Sequence, residues 1–543
     1  MRYTILILTV GVANALQFPS WVPFVNSYKQ PQATYSIPAE AADAAGNRIA
    51  VVGAGAGGSS AAFWIGKARE RFGLDVEIDV FEREDYVGGR SITVQPYNDS
   101  ELEPMELGGS VFVKANKNLW RASDEFGFER FDFEEGSSTM AIWDGTEFLL
   151  KMGGKGRFYD DWFDSLKVLW RYGYNAPSKT KSLVNNMITQ YLTLYSSSTK
   201  PFSNISDITD SFEWGHIAAQ TTSEYLDLHA VDRRWTRELV EAATRVNYGQ
   251  NVDAIHAIEG LVSMAATGAS GVKRGNYQLF EEFIRRSRAN LFLNTTVLSI
   301  TRDSQTSLYT IRTLNQSTVV EDTRLYRGVI FAAPFHSSNI KLSLSPEAPT
   351  IPPQPYVPLH VTLLSTTAAH IRPEYFGFSA KTDVPGTILT SYEGFRNGGS
   401  EPEFNSVSVH GKVRRKDGVA VEKEEFLVKI FSKERVEDEQ LTNLFGEVGW
   451  VYRKLWEAYP VLKPTSEFPP VKLDRGFYYV NAFEPLISTL ETETISSRNA
   501  VDLLLSELFD AGICPKSVDV NGTEIFSSSD AQKGDEFVYG WDC

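Results

Sequence analysis

Gly53, Gly55 and Gly58 stand at the spacing of a turn that lets a chain lie against a dinucleotide. The first glycine allows a tight turn, the second lets the backbone approach a pyrophosphate, and the third lets the following helix pack on the preceding strand. A helix starting there offers unpaired N–H groups and its positive dipole end to phosphate oxygens. Glu82 follows 24 residues after Gly58. Its carboxylate can accept hydrogen bonds from ribose hydroxyls and would repel a 2′-phosphate, which argues against NADP. The glycine pairs Gly88-Gly89 and Gly108-Gly109 suggest further backbone close to a large ligand. Arg90 could add a charge-assisted bond to phosphate. Other chemistry is thin: seven scattered histidines and two cysteines, Cys514 and Cys543, with no Cys-x-x-Cys. Nothing reads as a metal site, a thiol catalyst or a Ser-His-Asp constellation.

The elements around the glycines have the required order. Asn47 to Ala54 is a buried strand, a helix follows through Phe63-Trp64-Ile65, and Val76 to Glu82 is a second strand, completing a βαβ unit. Residues 150 to 270 read as largely helical, with apolar periodicity in Trp162 to Tyr172, Ser182 to Tyr195 and Arg234 to Arg245. Leu291 to Leu314 reads as two strands joined by a turn at Asp303, and Gly328 to Ala333 as a short buried strand. Pro346 to Pro358 is a candidate linker. Strands of a second sheet are expected at Leu359 to Thr367 and Glu425 to Phe431, a helix at Leu441 to Ala458, a strand at Tyr478 to Val480 and a helix at Ser496 to Phe509.

A chain of 543 residues, 42% apolar and 22% charged, is long enough for two or three globular lobes. Its formal charge of −16 is a poor match for nucleic acid. Arg2, an apolar run from Thr4 to Ala13 and Ala13-Asn14-Ala15 fit a cleaved signal peptide, and no stretch is long enough to span a bilayer. That predicts the secretory pathway, ending in a lysosome, a vacuole or outside the cell. Asn98, Asn204, Asn294, Asn315 and Asn521 are sequons for glycosylation. In an oxidising compartment Cys514 and Cys543 could form a disulfide or stay as thiols.

Glu82-Arg83-Glu84-Asp85-Tyr86-Val87-Gly88-Gly89-Arg90-Ser91 resembles the signature after the second strand in the flavin amine oxidase and desaturase superfamily. Glu106-Leu107-Gly108-Gly109-Ser110 resembles its turn beside the isoalloxazine ring. The resemblance implies FAD, with Gly88, Gly89 and Arg90 along the diphosphate. Arg245-Val246-Asn247-Tyr248-Gly249-Gln250 with Gly275-Asn276, and Gly476 to Asn481 followed by Glu491 to Asn499, are similar to prenylcysteine oxidases, also called prenylcysteine lyases. These motifs run in order from about 45 to 510. In that family the last segment closes the FAD site with its helix N-terminus facing the flavin, which puts Glu491 on the cofactor side. A positive helix end favours the anionic reduced ring, and Ser496 and Ser497 are candidate caps. Arg274, where the family has glycine, and Pro485-Leu486-Ile487 depart from the pattern and bear on the substrate more than on the cofactor.

What the resemblance implies is an α/β protein: a Rossmann-type FAD-binding domain of the flavin amine oxidase-like superfamily with an inserted α+β substrate domain. The expected segments are a signal peptide (1–15), an irregular arm (16–46), FAD-binding segments (47–150, 271–345, 471–543), a helical insertion (151–270) and a substrate domain (346–470). The implied reaction takes S-farnesyl- or S-geranylgeranyl-L-cysteine and oxygen to an isoprenoid aldehyde, cysteine and hydrogen peroxide, in prenylated-protein catabolism. Asn247, Tyr248 and Asn276 are candidates for the pocket; no catalytic residue can be singled out, and His216, His229 and His256 read as surface or satisfied core. Two other readings stay open: a secreted flavin oxidase acting on an amine or a secondary metabolite, and a non-catalytic FAD-binding protein.

Overall fold

The computed structural model describes residues 45–543 except 133–138, 154–159, 267, 420, 422, 516, 519–523 and 526–535, with backbone alone at 160–165, 517–518 and 524–525. The expected signal peptide, nearly all of the leader arm and Asn521 lie outside the described residues.

β1 (Arg48–Val52), α1 (Ala56–Phe72) and β2 (Glu77–Phe81) form the expected βαβ unit. A short pair, β3 (Ile92–Val94) and β4 (Met105–Gly108), then leads to α2 (Lys117–Glu125). β5 (Met140–Trp143) and β6 (Phe148–Met152) precede the helical region, which includes α3 (Asp160–Tyr172), α4 (Asn175–Leu192), α5 (Glu241–Tyr248) and α6 (Ala257–Ser263). The chain returns through α7 (Tyr277–Ser287), β7 (Asn290–Phe292), the hairpin strands β8 (Thr295–Arg302) and β9 (Tyr309–Asn315), β10 (Val320–Tyr326) and β11 (Gly328–Phe331). Next come β12 (Tyr356–Thr366), β13 (Thr387–Thr390), β14 (Ser406–Lys412), β15 (Phe426–Ser432), α8 (Asp438–Phe445) and β16 (Val448–Pro460). The chain closes with β17 (Lys472–Asp474), β18 (Phe477–Tyr479) and α9 (Leu490–Phe509).

Strands from the front, middle and back assemble one six-stranded sheet in the order β17-β18-β11-β1-β2-β7. Its central pairs are parallel and its central strands buried on both faces, with helices on one face and, on the other, Tyr309 of β9 against Phe477 and Tyr326 of β10 against Phe81 and Asp79. α1 lies between α7 and α9. Small residues allow that approach: a methyl group on Gly66 would come within 2.8 Å of the Ser287 Cα. The Ser497 hydroxyl of α9 donates to the Gly57 carbonyl at 2.6 Å.

The second sheet has seven strands in the order β16-β12-β15-β14-β13-β5-β6. One face packs Leu364, Val428, Ile430 and Val407 against Leu441, Leu444 and Phe445 of α8. The other turns towards the first lobe, where Leu359, Val361 and Leu363 meet Met105 and Leu107 of β4.

Four expectations are corrected. Residues 140–150, read as part of the first FAD segment, lie in β5 and β6 at one end of the substrate sheet, with β5 parallel to β13. The helix expected over Leu441 to Ala458 stops at Phe445, where Gly446 takes φ 77°, and the aromatic run beyond it pairs with β12 instead. The Pro346 to Pro358 linker ends early, because β12 starts at Tyr356; Pro358 is accommodated at a register shift, where a ladder N–H is dispensable. Ser496 and Ser497 are not caps. α9 begins at Leu490, and the Thr489 hydroxyl accepts the Thr492 N–H at 3.0 Å.

Candidate active site

One cavity of about 830 Å³ runs from the β1–α1 turn to the inner face of the seven-stranded sheet. That is at the upper end of ligand-site volumes. At its first end the walls are backbone. Gly53 takes φ 99°, and a methyl group there would sit 2.4 Å from the Ala332 carbonyl oxygen. One on Gly58 would sit 1.8 Å from the Gly53 oxygen. Gly55 is different: its nearest neighbours, in Gly88 and Gly89, are 3.7 Å or more away, so its open side belongs to the cavity. Glu82 accepts the Ala54 N–H at 2.8 Å and the Glu84 N–H at 3.0 Å, which ties the second strand to the glycine turn. Burial raises its pKa. Each oxygen keeps a second lone pair for a hydroxyl donor.

Arg90, expected beside phosphate, lines the cavity with its charge already compensated. It is ion-paired with Glu484 and donates to the Ala458 carbonyl at 2.9 Å, while Glu484 also accepts the Tyr356 hydroxyl. Gly108 and Gly109 line the cavity as expected; Gly109 takes φ 62° and Gly108 abuts Trp456. Asn276 is corrected from pocket wall to support. Fully buried, it donates to the Gly109 carbonyl at 2.8 Å and accepts the Val272 N–H at 2.8 Å, holding the turn from behind.

Glu491 lines the cavity in the first turn of α9, yet its oxygens serve the protein. They accept the N–H groups of Asn118 (2.7 Å) and Leu119 (3.0 Å), capping α2, and the Tyr195 hydroxyl at 2.6 Å. Burial pushes its pKa up to about 7. Two other polar groups along this wall have no hydrogen-bond partner among the described residues: Glu493 Oε1 and Asn481 Oδ1.

At the far end, Met187, Ile188 and Tyr191 of α4 and Val262 of α6 supply an apolar wall, with Asn247 and Tyr248 of α5 beside it as expected. Tyr248 packs edge-on against Tyr459 and turns its hydroxyl towards the buried Glu259. The sheet closes the space with a polar stripe. Ser408 is paired with Lys429 and Ser406 with Phe431 across β14 and β15, so these side chains share one face. Lys429 is buried, its ammonium 3.2 Å from the Ser110 hydroxyl. Burial pulls its pKa down and raises that of the neighbouring Glu106. Lys429 was missed at the sequence level, although a lysine inside the apolar run Phe426 to Phe431 was a readable signal.

His256 is satisfied core: it sits at the N-cap of α6 and bonds the Pro485 carbonyl, and burial lowers its pKa to about 4. Among the described residues no cluster could hold a metal ion. Cys514 and Cys543 are disulfide-bonded, with Cα atoms 5.3 Å apart. Of the described sequons, Asn98 and Asn204 are exposed, and Asn294 and Asn315 half-buried.

The glycine cradle, the acceptor at Glu82 and the unpaired polar atoms fit a group built like FAD. A description of NAD(P)-binding Rossmann-like domains matches residues 51–126. The chain is 29% identical to farnesylcysteine lyase of Arabidopsis thaliana over 479 residues, covering 84% of this chain and 88% of that protein. It is 29% identical to prenylcysteine oxidase 1 of Mus musculus over 478 residues, with the same coverage of 84% and 88%. Among solved structures it resembles putrescine oxidase at 16% identity and a TM-score of 0.51, covering 84% of this chain and 99% of that one. Cyclohexylamine oxidase from Brevibacterium oxydans gives 14% and 0.50, covering 85% and 99%. These neighbours establish the Rossmann-type fold with its inserted domain. The description of prenylcysteine lyases matches residues 158–512, well over half of the sequence, and the chain belongs to that family.

Proposed function

We propose that the chain is an FAD-dependent oxidase that cleaves the thioether of an S-prenyl-L-cysteine to an isoprenoid aldehyde, cysteine and hydrogen peroxide. The observation that carries this is one continuous cavity, joining a dinucleotide cradle to an apolar wall that faces a polar sheet stripe. When bound, FAD supplies the hydride acceptor and passes the electrons to oxygen.

The protein's part is position and electrostatics. Met187, Ile188 and Val262 offer apolar surface to an isoprenoid chain and keep water from it. Ser406, Ser408 and Lys429 present hydroxyls and a cation to an amino-acid head. Lys429, with Glu106 near it and Ser110 between the sheet and Gly109, can hold or release a proton beside the paired-glycine turn. We also propose a secretory route, supported by the signal-like N-terminus, the disulfide and the exposed sequons at Asn98 and Asn204. Glycosidase treatment of the native protein should lower its apparent mass.

Anaerobic mixing of the flavin-loaded protein with S-farnesylcysteine tests the reaction. The flavin absorbance should bleach, and admitting oxygen should give peroxide and aldehyde in equal amounts. Bleaching by amines alone would move the chain to the amine-oxidase reading, and a protein purified without flavin would overturn both.

A further inference from the structure

Glu493 is buried in the first turn of α9, where that turn crosses the start of α1. It lines the cavity beside the glycine cradle. Its Oε2 is so close to Gly57 that a methyl group there would come within 2.8 Å of it. Oε1 has no hydrogen-bond partner among the described residues.

The N-terminal ends of α9 and α1 favour a negative charge here, but the surrounding side chains do little to support one. Arg90 is the nearby cation, and it is already paired with Glu484. Glu484 adds a second carboxyl, itself hydrogen-bonded by Tyr356 of β12; Tyr479 of β18 adds a phenol. On the same helix Glu491 turns away to α2, and the Ser497 hydroxyl bonds main-chain carbonyls. α1 and the end of β11 face the carboxyl with Gly57 and Ala332, which carry no titratable group. Phosphates drawn to the N-terminus of α1 would bring more negative charge to the same place.

We propose that Glu493 is a cofactor-binding residue that stays protonated in the loaded enzyme and donates its proton, as a hydrogen bond, to an oxygen of the diphosphate–ribityl stretch of FAD. The orphaned oxygen at the cradle carries the inference; burial and Glu484, which both raise the Glu493 pKa well above the usual carboxylate range, agree with it. It rests on FAD as the cofactor and not on the identity of the substrate.

The test compares FAD-loaded wild type with E493Q and E493A. Infrared difference spectra of wild type against either variant should show the C=O band of a protonated carboxylic acid at about pH 8, where an ordinary glutamate is ionised. Apo-protein reloaded with FAD and followed by flavin fluorescence should bind about as tightly in E493Q, which keeps a donor, and roughly tenfold more weakly in E493A. A wild type lacking the protonated-acid band overturns the proposal. So does an E493Q protein whose affinity falls as far as that of E493A. If E493Q does not fold, the band in wild type against E493A decides alone.

Discussion

The two ends of the cavity are made of different material. At the nucleotide end the ligand-facing surface is backbone: Gly53, Gly55 and Gly57 on one turn, Gly88 and Gly89 on the next. At the sheet end it is side chains brought from distant segments, with Lys429 from β15, Ser406 and Ser408 from β14, Ile188 from α4 and Val262 from α6. A backbone site is written in a few contiguous residues, because only glycine leaves the space. A side-chain site exists once strand register and helix packing have placed its members. The first should therefore fail as a unit when one glycine is filled, and the second piecemeal.

The largest expected effect separates folding from binding within the cradle. In Gly58→Ala the new methyl would lie 1.8 Å from the Gly53 oxygen. Backbone must move, at a cost of about 3 kcal/mol or more, and the protein should lose both thermal stability and flavin. Gly55→Val puts its side chain where the protein's own atoms are 3.7 Å or more from Cβ. That variant should fold nearly as well as wild type in a melting experiment yet purify without flavin absorbance. Stoichiometric flavin in Gly55→Val would show that the pyrophosphate path lies elsewhere.

A smaller effect is expected at the other end. Lys429→Met keeps the apolar stem and removes the ammonium beside Ser110. The variant should keep its flavin and lose kcat/KM by about 10²- to 10⁴-fold, the range for a positioned proton-transfer group. Rapid-mixing kinetics with S-farnesylcysteine measure it. Wild-type reduction rates would make Lys429 part of the sheet's packing alone, and loss of flavin would mean that the two ends do not fail independently.

The same contrast explains what was legible in the sequence. The cradle was readable down to individual residues, including the Glu82 position, because strand, turn, helix and strand are local. Arg90, expected at the diphosphate, and Asn276, expected in the substrate pocket, have as partners Glu484 and Gly109, far away in sequence. No spacing rule shows that an arginine will be neutralised by a residue 394 positions later. The stretch after Leu441 misled for a related reason. Its apolar periodicity was ambiguous, and the outcome depended on β12 offering an edge for Val448–Pro460 to pair with. Lys429 was hidden in the same way: β14–β15 register, not its neighbours in sequence, puts it on the cavity face.

Glu491 gives the smallest and most discriminating effect, because it sits at the cofactor end while its contacts serve α2. Burial raises its pKa from an ordinary 4.5 to about 7. The folded state therefore holds that proton more tightly than the unfolded state does. Its stabilising contribution is fully present below about pH 4.5 and is lost as pH rises towards 7. The shift corresponds to at most about 3 kcal/mol across that window. Glu491→Gln removes the titration but replaces one acceptor oxygen by an NH2 group that can only donate, leaving one of the donors from Asn118, Leu119 and Tyr195 without an acceptor, so it should lower stability by roughly 1–3 kcal/mol at low pH. The gap to wild type should then narrow between pH 4.5 and 7 as wild type loses its own contribution. Melting temperatures across that range measure the narrowing, and bound flavin measured on the same samples should stay constant. A gap that widens with pH would mean that the three donors keep Glu491 ionised. A loss of flavin in step with the melting temperature would return the residue to the cofactor site that its position in the sequence first suggested.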